Sequence, residues 1–224
     1  MHILDIENSP RKKTYAWFKS FKNPTYSINV TMDVTKLVNY SKKSNTSFFI
    51  GMLYIVVNGL NSVPEMRMRF VDNKPVIFDD INPAITVMTK NEVFENVRFE
   101  NKKNYKDFYA LARKKIDIAK HETDLTENNY NPENTWNEYY ITCLPWLSFT
   151  GLNQPITEEL HSQTVPRICW GKYTKNNNKY ELTLNITVSH IFVDGFHISK
   201  AFNKIQELLN EVEAVLKWCM KIVT

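Results

Sequence analysis

The chain has 224 residues, 43% of them hydrophobic and 13% aromatic, enough apolar material for one large domain or two small ones. Its formal net charge is +4; the basic residues are scattered, and the short clusters at 11–13 and 113–115 read as solvated faces rather than a nucleic-acid surface. Three cysteines without close spacing, Cys143, Cys169 and Cys219, exclude a zinc site and a disulfide framework; no stretch is long and uncharged enough to span a membrane, and the acidic first residues do not read as a signal peptide, so a soluble cytoplasmic protein is expected.

A short strand over 2–6 opens the chain, and Asn8-Ser9-Pro10 caps a helix through Arg11, Tyr15, Trp17 and Phe18. Residues 26–34 alternate apolar and polar as a strand, and a helix through Leu37, Val38 and Tyr40 follows. Residues 47–61 form a helix apolar on most sides, hence buried, which Pro64 ends. Residues 66–70 and 74–78 read as a hairpin around Asp72-Asn73. A strand over 85–89 leads to Val93-Phe94, and 105–123 is a helix with Phe108, Leu111, Ala112, Ile116 and Ala119 inward and basic faces elsewhere. Residues 124–136 are polar and Asn-rich, an irregular loop long enough to suggest a functional role.

Further strands are expected over 138–143 and 165–173, with irregular chain over 155–163 and a hairpin turn at 176–178. The partner strand runs over 180–189 and a last helix over about 196–217. The class is α+β: a two-layer sandwich with a large mixed or antiparallel sheet covered by helices, with residues 1–224 as a single domain. No phosphate-binding glycine motif and no Gly-x-Ser-x-Gly nucleophile elbow is present.

The most informative stretch is the end of strand 180–189. Tyr180, Leu182, Leu184, Ile186 and Val188 point one way, and His190 is in phase with them. Imidazole is the side chain suited to proton transfer near neutral pH, and the end of a half-buried strand is a place where it can be tuned. Asp194-Gly195 follows as a turn into a helix. A core histidine with satisfied hydrogen bonds is the alternative. A zinc site of His190, Asp194 and His197 is disfavoured, since no further ligand has fitting spacing.

The run His190-Ile-Phe-Val-Asp194-Gly195-Phe196-His197 resembles the His-x-x-x-Asp-Gly motif of the chloramphenicol acetyltransferase family, shared with the catalytic cores of dihydrolipoamide acyltransferases. The resemblance extends over most of the chain: the start through Arg11, Pro64-Glu65-Met66-Arg67-Met68, Leu144-Pro145-Trp146 with Ser148-Phe149-Thr150, and Gly171-Lys172-Tyr173. It implies an acetyl-CoA-dependent O-acetyltransferase, with chloramphenicol as acceptor and antibiotic inactivation as the outcome. His190 would be the general base for direct attack on the thioester, without an acyl-enzyme. Thr142 would replace the family's serine as oxyanion donor. Asp194, paired with Arg11 and followed by Gly195, would support the histidine loop rather than act as a triad acid. Trp146, Lys172 and Tyr173 match coenzyme-channel positions; Trp17, Phe18, Phe94, Gln154, Arg167 and Cys169 match the acceptor pocket. Metal ligands are not implied.

Besides Thr142, this chain departs from the family at four positions. Ser189 precedes the base where the family has a second histidine, Cys169 replaces a threonine, and Gln154 and Arg167 make the acceptor pocket more polar. Two alternatives therefore accompany the main reading: the same chemistry on another hydroxyl acceptor, or a catalytically weak homologue that binds coenzyme or antibiotic. The family's architecture further implies a homotrimer with each active site between two subunits.

Overall fold

The computed structural model describes residues 1–121 and 136–217. In chain order, β1 (His2–Ile3) and α1 (Lys12–Lys19) precede β2 (Thr25–Asp33), α2 (Thr35–Ser44), α3 (Phe48–Asn61) and the hairpin of β3 (Met68–Val71) and β4 (Lys74–Ile77). Then come β5 (Asn82–Met88), β6 (Phe94–Arg98), α4 (Tyr105–His121), β7 (Glu138–Leu144) and a one-turn α5 (Leu160–Gln163). The chain closes with β8 (Arg167–Gly171), β9 (Thr174–Asn176), β10 (Lys179–Ser189), α6 (Gly195–Asn210) and a short α7 (Val212–Val215). The large sheet has the order β2-β10-β8-β7-β5-β6, with β9 paired to β10; β1, β4 and β3 form a second, small sheet. In the large sheet β7 is parallel to β5 and β8, and the other pairs are antiparallel. This is the expected α+β arrangement with a large mixed sheet.

Alternation gives the large sheet two unlike faces. Met32 of β2, Leu182, Leu184, Ile186 and Val188 of β10, and Ile168 and Trp170 of β8 belong to the main core, with Ile28 and Val30 of β2 packed against it. That core is completed by α3, buried along nearly its whole length. Ser47 caps α3, its hydroxyl accepting from the Ile50 amide at 3.4 Å. Among the described residues no helix is long and apolar enough to cross a membrane.

Several boundaries differ from the sequence reading. The first strand is only His2–Ile3. Residues 64–67 are a 3₁₀ turn rather than strand, because Pro64 fixes a helical φ and its missing N–H suits a first turn. Asp72 and Asn73 both take positive φ, the tight hairpin turn that Asp and Asn tolerate. β6 went unread as a strand because Phe94-Glu-Asn-Val-Arg98 has an outer face too polar to stand out. α5 lies in the stretch read as irregular. The last helix breaks after Asn210: the Glu211 amide bonds to the Leu208 carbonyl in a tightened turn, and the Lys36 ammonium takes the Asn210 carbonyl at 2.7 Å. Residues 122–135, which hold most of the expected loop and the end of the fourth predicted helix, lie outside the described residues, as does Cys219.

Helices α3 and α6 touch where α3 has no side chain. A Cβ on Gly59 would lie 2.5 Å from Ile205 Cγ1 and 3.3 Å from its Cα. Alanine here gains ~1 kcal/mol of helix propensity, but overpacking against the backbone of α6 costs about 1–3 kcal/mol. Gly59→Ala is expected to lower the melting temperature by several degrees, at roughly 2–4 °C per kcal/mol for a chain of this size; an unchanged or raised midpoint in a thermal melt would show that α6 yields freely.

Candidate active site

Beyond Ser189 the chain turns sharply, the Phe192 and Val193 amides both bonding to the Ser189 carbonyl, before α6 begins at Gly195. The His190 amide donates to the Pro24 carbonyl at 2.8 Å, which fastens the start of this turn to the entry of β2. Helix α1 fastens its far side. Arg11, Tyr15 and Phe18 recur at i, i+4 and i+7, so they share one stripe of the helix. Arg11 forks onto Asp194, with Nη1–Oδ2 at 2.7 Å and Nη2–Oδ1 at 2.6 Å, and also donates to the Ile191 and His190 carbonyls at 2.9 and 3.2 Å. Tyr15 packs on Phe192. Phe18 stacks on the His190 imidazole, with centroids 3.8 Å apart and planes 11° apart.

The imidazole is 32% exposed and held on a second side by the Tyr26 ring, whose hydroxyl donates to the Val193 carbonyl. Its Nδ1 lies 3.2 Å from Asp194 Oδ1, a close electrostatic contact that lacks the alignment of a hydrogen bond. A carboxylate there favours the tautomer with its proton on Nδ1, leaving the Nε2 lone pair available to accept a proton. The Arg11 hydrogen bonds, followed by its charge, hold the Asp194 carboxyl below the usual carboxylate range. Burial, with a smaller contribution from the Asp194 charge, pushes the Tyr26 phenol up to about 12. His197 takes part too: its Nδ1 accepts from the Asp194 amide at 3.1 Å, and its Nε2 is 3.5 Å from Glu65 Oε1.

The residues expected to line a coenzyme channel lie elsewhere. Trp146, Lys172 and Tyr173 share a cavity of about 580 Å³ with Phe48 and Phe49 of α3, Thr86 and Met88 of β5, Cys143, and Arg113, Ile116 and Lys120 of α4. Its size is that of a small-molecule site. Its cations, Arg113, Lys120 and Lys172, suit an anionic ligand with an apolar portion. Arg113 and Lys120 were missed in the sequence; the signal was present in the i, i+3, i+7 spacing with Ile116 on a basic helix. Thr142 adjoins this cavity, accepting a hydrogen bond from the Thr86 hydroxyl at 3.3 Å.

The sheet register sets how far apart these groups stand. Thr142 pairs with Cys169 and Cys169 with Asn185. His190 is five residues beyond Asn185 and two strands away from Thr142, roughly 15–20 Å at ordinary strand spacings. One chain therefore does not bring His190 and Thr142 onto one small reacting group. Phe94, 60% exposed, is on the edge strand β6 at the far end of the sheet from β2, whereas Trp17, 62% exposed, and Phe18 belong with His190.

Arg167 is buried, with Nη1 on the Ser162 and Val165 carbonyls at 3.0 and 3.2 Å and Nη2 on Ser162 Oγ at 3.0 Å. Gln154 donates to Asn185 Oδ1 at 3.1 Å. Cys169 is buried, and burial pushes its thiol up to about 11.

The family model described as chloramphenicol acetyltransferase matches residues 1–206. A chloramphenicol acetyltransferase of Clostridium butyricum is 30% identical over 210 residues, covering 92% of this chain and 94% of the relative. A solved chloramphenicol acetyltransferase superposes with a TM-score of 0.85 at 28% identity, over 93% of this chain and all of that one. The dihydrolipoamide acetyltransferase of Azotobacter vinelandii, at 13% identity and a TM-score of 0.66 over 92% of this chain and 88% of that one, shares the fold.

The Arg11–Asp194 pair carries a pH dependence whose sign is fixed. A carboxyl depressed in the folded state contributes stability above its unfolded value and loses it as pH falls through its folded value. Arg11→Ala should therefore lower the melting temperature at pH 7, and the gap to the wild-type chain should narrow below about pH 4, leaving the part carried by the two carbonyl contacts. Melts across pH 3–7 check this, and a gap independent of pH would mean that the carboxylate contributes nothing to the clamp.

Proposed function

The chain belongs to the chloramphenicol acetyltransferase family, and from this premise we propose that it transfers acetyl from acetyl-CoA to a hydroxyl of chloramphenicol, inactivating the antibiotic, with residues 1–224 acting as a single acyltransferase domain. The observation that carries the reading is the setting of His190. Its ring is fixed by Phe18 and Tyr26 and faces a carboxylate at Nδ1, so Nε2 is the atom left to act as base.

A hydroxyl is a poor nucleophile at neutral pH, and a positioned base is worth on the order of 10²–10⁴-fold. Nε2 takes the acceptor proton as the acceptor oxygen bonds to the thioester carbonyl carbon. The carbonyl oxygen becomes an oxyanion, and the Thr142 hydroxyl donates to it. Collapse re-forms the carbonyl and breaks the C–S bond, and the imidazolium returns its proton to the departing thiolate. No acyl-enzyme forms. Asp194, Arg11 and Gly195 hold the histidine turn and take no proton. Acetyl-CoA serves as co-substrate in the cavity of Trp146 and Tyr173, with Lys172 a phosphate partner.

The acceptor side is less polar than its residue types suggest. Arg167 donates to Ser162 and Val165, Gln154 donates to Asn185, and Cys169 is buried, so they shape the wall, and the exposed aromatics Trp17 and Phe94, with the half-buried Phe18, are the surfaces left for an aromatic acceptor. The separation of His190 from Thr142, and of Trp17 from Phe94, supports a site assembled between two copies of the chain. A closed ring of three, in which each copy lends its histidine turn to the next, satisfies both separations.

With chloramphenicol as acceptor, free thiol should appear from acetyl-CoA; release only with other alcohols would assign a different acceptor, and coenzyme binding without release a binding protein. His190→Ala should lower turnover by at least ~10²-fold with an unchanged melt, and full turnover would remove His190 from its role. The shared site has its own test. His190→Ala and Thr142→Ala copies, each nearly inactive alone, should regain about a quarter of wild-type turnover when refolded together in equal amounts, since in a ring about one junction in four pairs an intact histidine with an intact threonine. Light scattering should give the mass of three chains; a stable monomer or an absence of complementation would contradict the arrangement.

A further inference from the structure

We infer that Thr86 is a positioning residue for acyl transfer: its hydroxyl, bonded to Thr142 Oγ1, commits the Thr142 proton to the developing oxyanion. The inference rests on the reading of Thr142 as oxyanion donor.

The sheet brings the two threonines together. β5 and β7 are parallel with Ile85 opposite Ile141, so Thr86 and Thr142 are the next pair along and point from the same face. Their hydroxyl oxygens are 3.3 Å apart, with Thr86 as donor. A threonine hydroxyl has one proton and two lone pairs. Accepting from Thr86 occupies a lone pair of Thr142 and leaves its own O–H uncommitted. The reverse direction would point the Thr142 proton at Thr86 and leave the oxyanion without it. Apo hydrogen bonds of this kind are often long and tighten when the reacting group arrives.

The surroundings favour the same direction. On its other side Thr142 faces Cys169, whose thiol is a weak hydrogen-bonding group and lies 3.9 Å from the Trp170 carbonyl. Cys169 thus does not compete for the Thr142 proton. Thr86 also lines the cavity of Trp146 and Lys172, so the hydroxyl pair stands on the wall where a thioester would end. Both side chains are β-branched and stiff at χ1, which keeps the pair aligned without further partners. A hydroxyl that accepts a bond also donates more strongly, a cooperative gain of order 10–30% per bond. Because one oxyanion donor is worth about 10²–10³-fold, losing its alignment should cost less than losing the donor itself.

Thr86→Val removes the hydroxyl and keeps the shape. In the thiol-release assay its kcat should fall about 5–30-fold, with the KM for acetyl-CoA within about twofold and the melt unchanged; Thr86→Ser should restore the rate. In a Thr142→Ala background Thr86→Val should add no further loss, because its effect passes through Thr142. If valine does not fold at this position, Thr86→Ala makes the same comparison. Wild-type turnover in Thr86→Val, a loss confined to KM, or a full further loss in the double variant would overturn the inference. Full turnover in Thr142→Ala alone would instead overturn the oxyanion reading on which it stands.

Discussion

The site depends on one fork: the Arg11 guanidinium on the Asp194 carboxylate, joining residues 183 positions apart. Arg11 stands at the start of α1 and Asp194 at the start of α6, so the pair ties the first helix of the chain to the last long one. Partly buried, the pair faces a desolvation cost that only good geometry offsets, and the bidentate arrangement supplies that geometry. The same guanidinium holds the His190 and Ile191 carbonyls, so the turn carrying the imidazole is braced on its main chain as well as at its end. Removing Arg11 would take the guanidinium away from Asp194 and free the turn at once. The clamp thus serves both stability and the orientation of the ring.

The second constraint is the unlike faces of the large sheet. Residues at even positions of β2 and β10 meet the helices and make the core. Odd positions carry Ser27, Asn29, Asn185, Thr187 and Ser189, and the row through Asn185 continues to Cys169 and Thr142. Such a row costs little only where its polar groups find partners. Some are internal: Ser27 with Thr187 at 2.6 Å, and Asn185 with Asn29, Gln154 and the Leu152 carbonyl. Asn29 and Asn96 remain exposed at the outer strands. A polar face of this kind is compatible with the site proposed between two copies of the chain, in which His190 and Thr142 come from different copies.

Much of this was legible in the sequence, for identifiable reasons. The 180–189 strand alternates strictly over ten residues, and α3 is apolar on most sides, so both announce themselves. The pairing of Asp194 with Arg11 was reached through resemblance, since no local pattern links residues 183 apart. What could not be read was whatever depends on register. Thr86 stands beside Thr142 only because β5 and β7 are parallel neighbours, and Tyr26 reaches the imidazole only because β2 begins against the histidine turn. Arg167 shows the converse. Its residue type suggested a polar acceptor wall, yet every hydrogen bond found for it goes to Ser162 and Val165. Composition reports which groups exist; the register decides which are still free.

Arginine recurs in this chain as a brace for main-chain carbonyls. Arg67 takes the carbonyls of Phe78 and Asp79, Arg69 those of Met66, Met68 and Glu138, and Arg167 those of Ser162 and Val165. Arg69 is wholly buried, and burial pulls it down to about 10, still charged at neutral pH. A planar fork with five donors suits this task better than an ammonium, because it can reach several carbonyls from one position. Arg11 has the same carbonyl contacts and differs in one respect: it also holds a carboxylate, and that carboxylate faces the imidazole. A brace that used carbonyls alone would fix the turn but leave the tautomer of His190 undetermined. The carboxylate adds the electrostatic bias toward a proton on Nδ1 and a bare Nε2, so the chemistry proposed for this site rests on the one arginine brace whose partner is also in contact with the base.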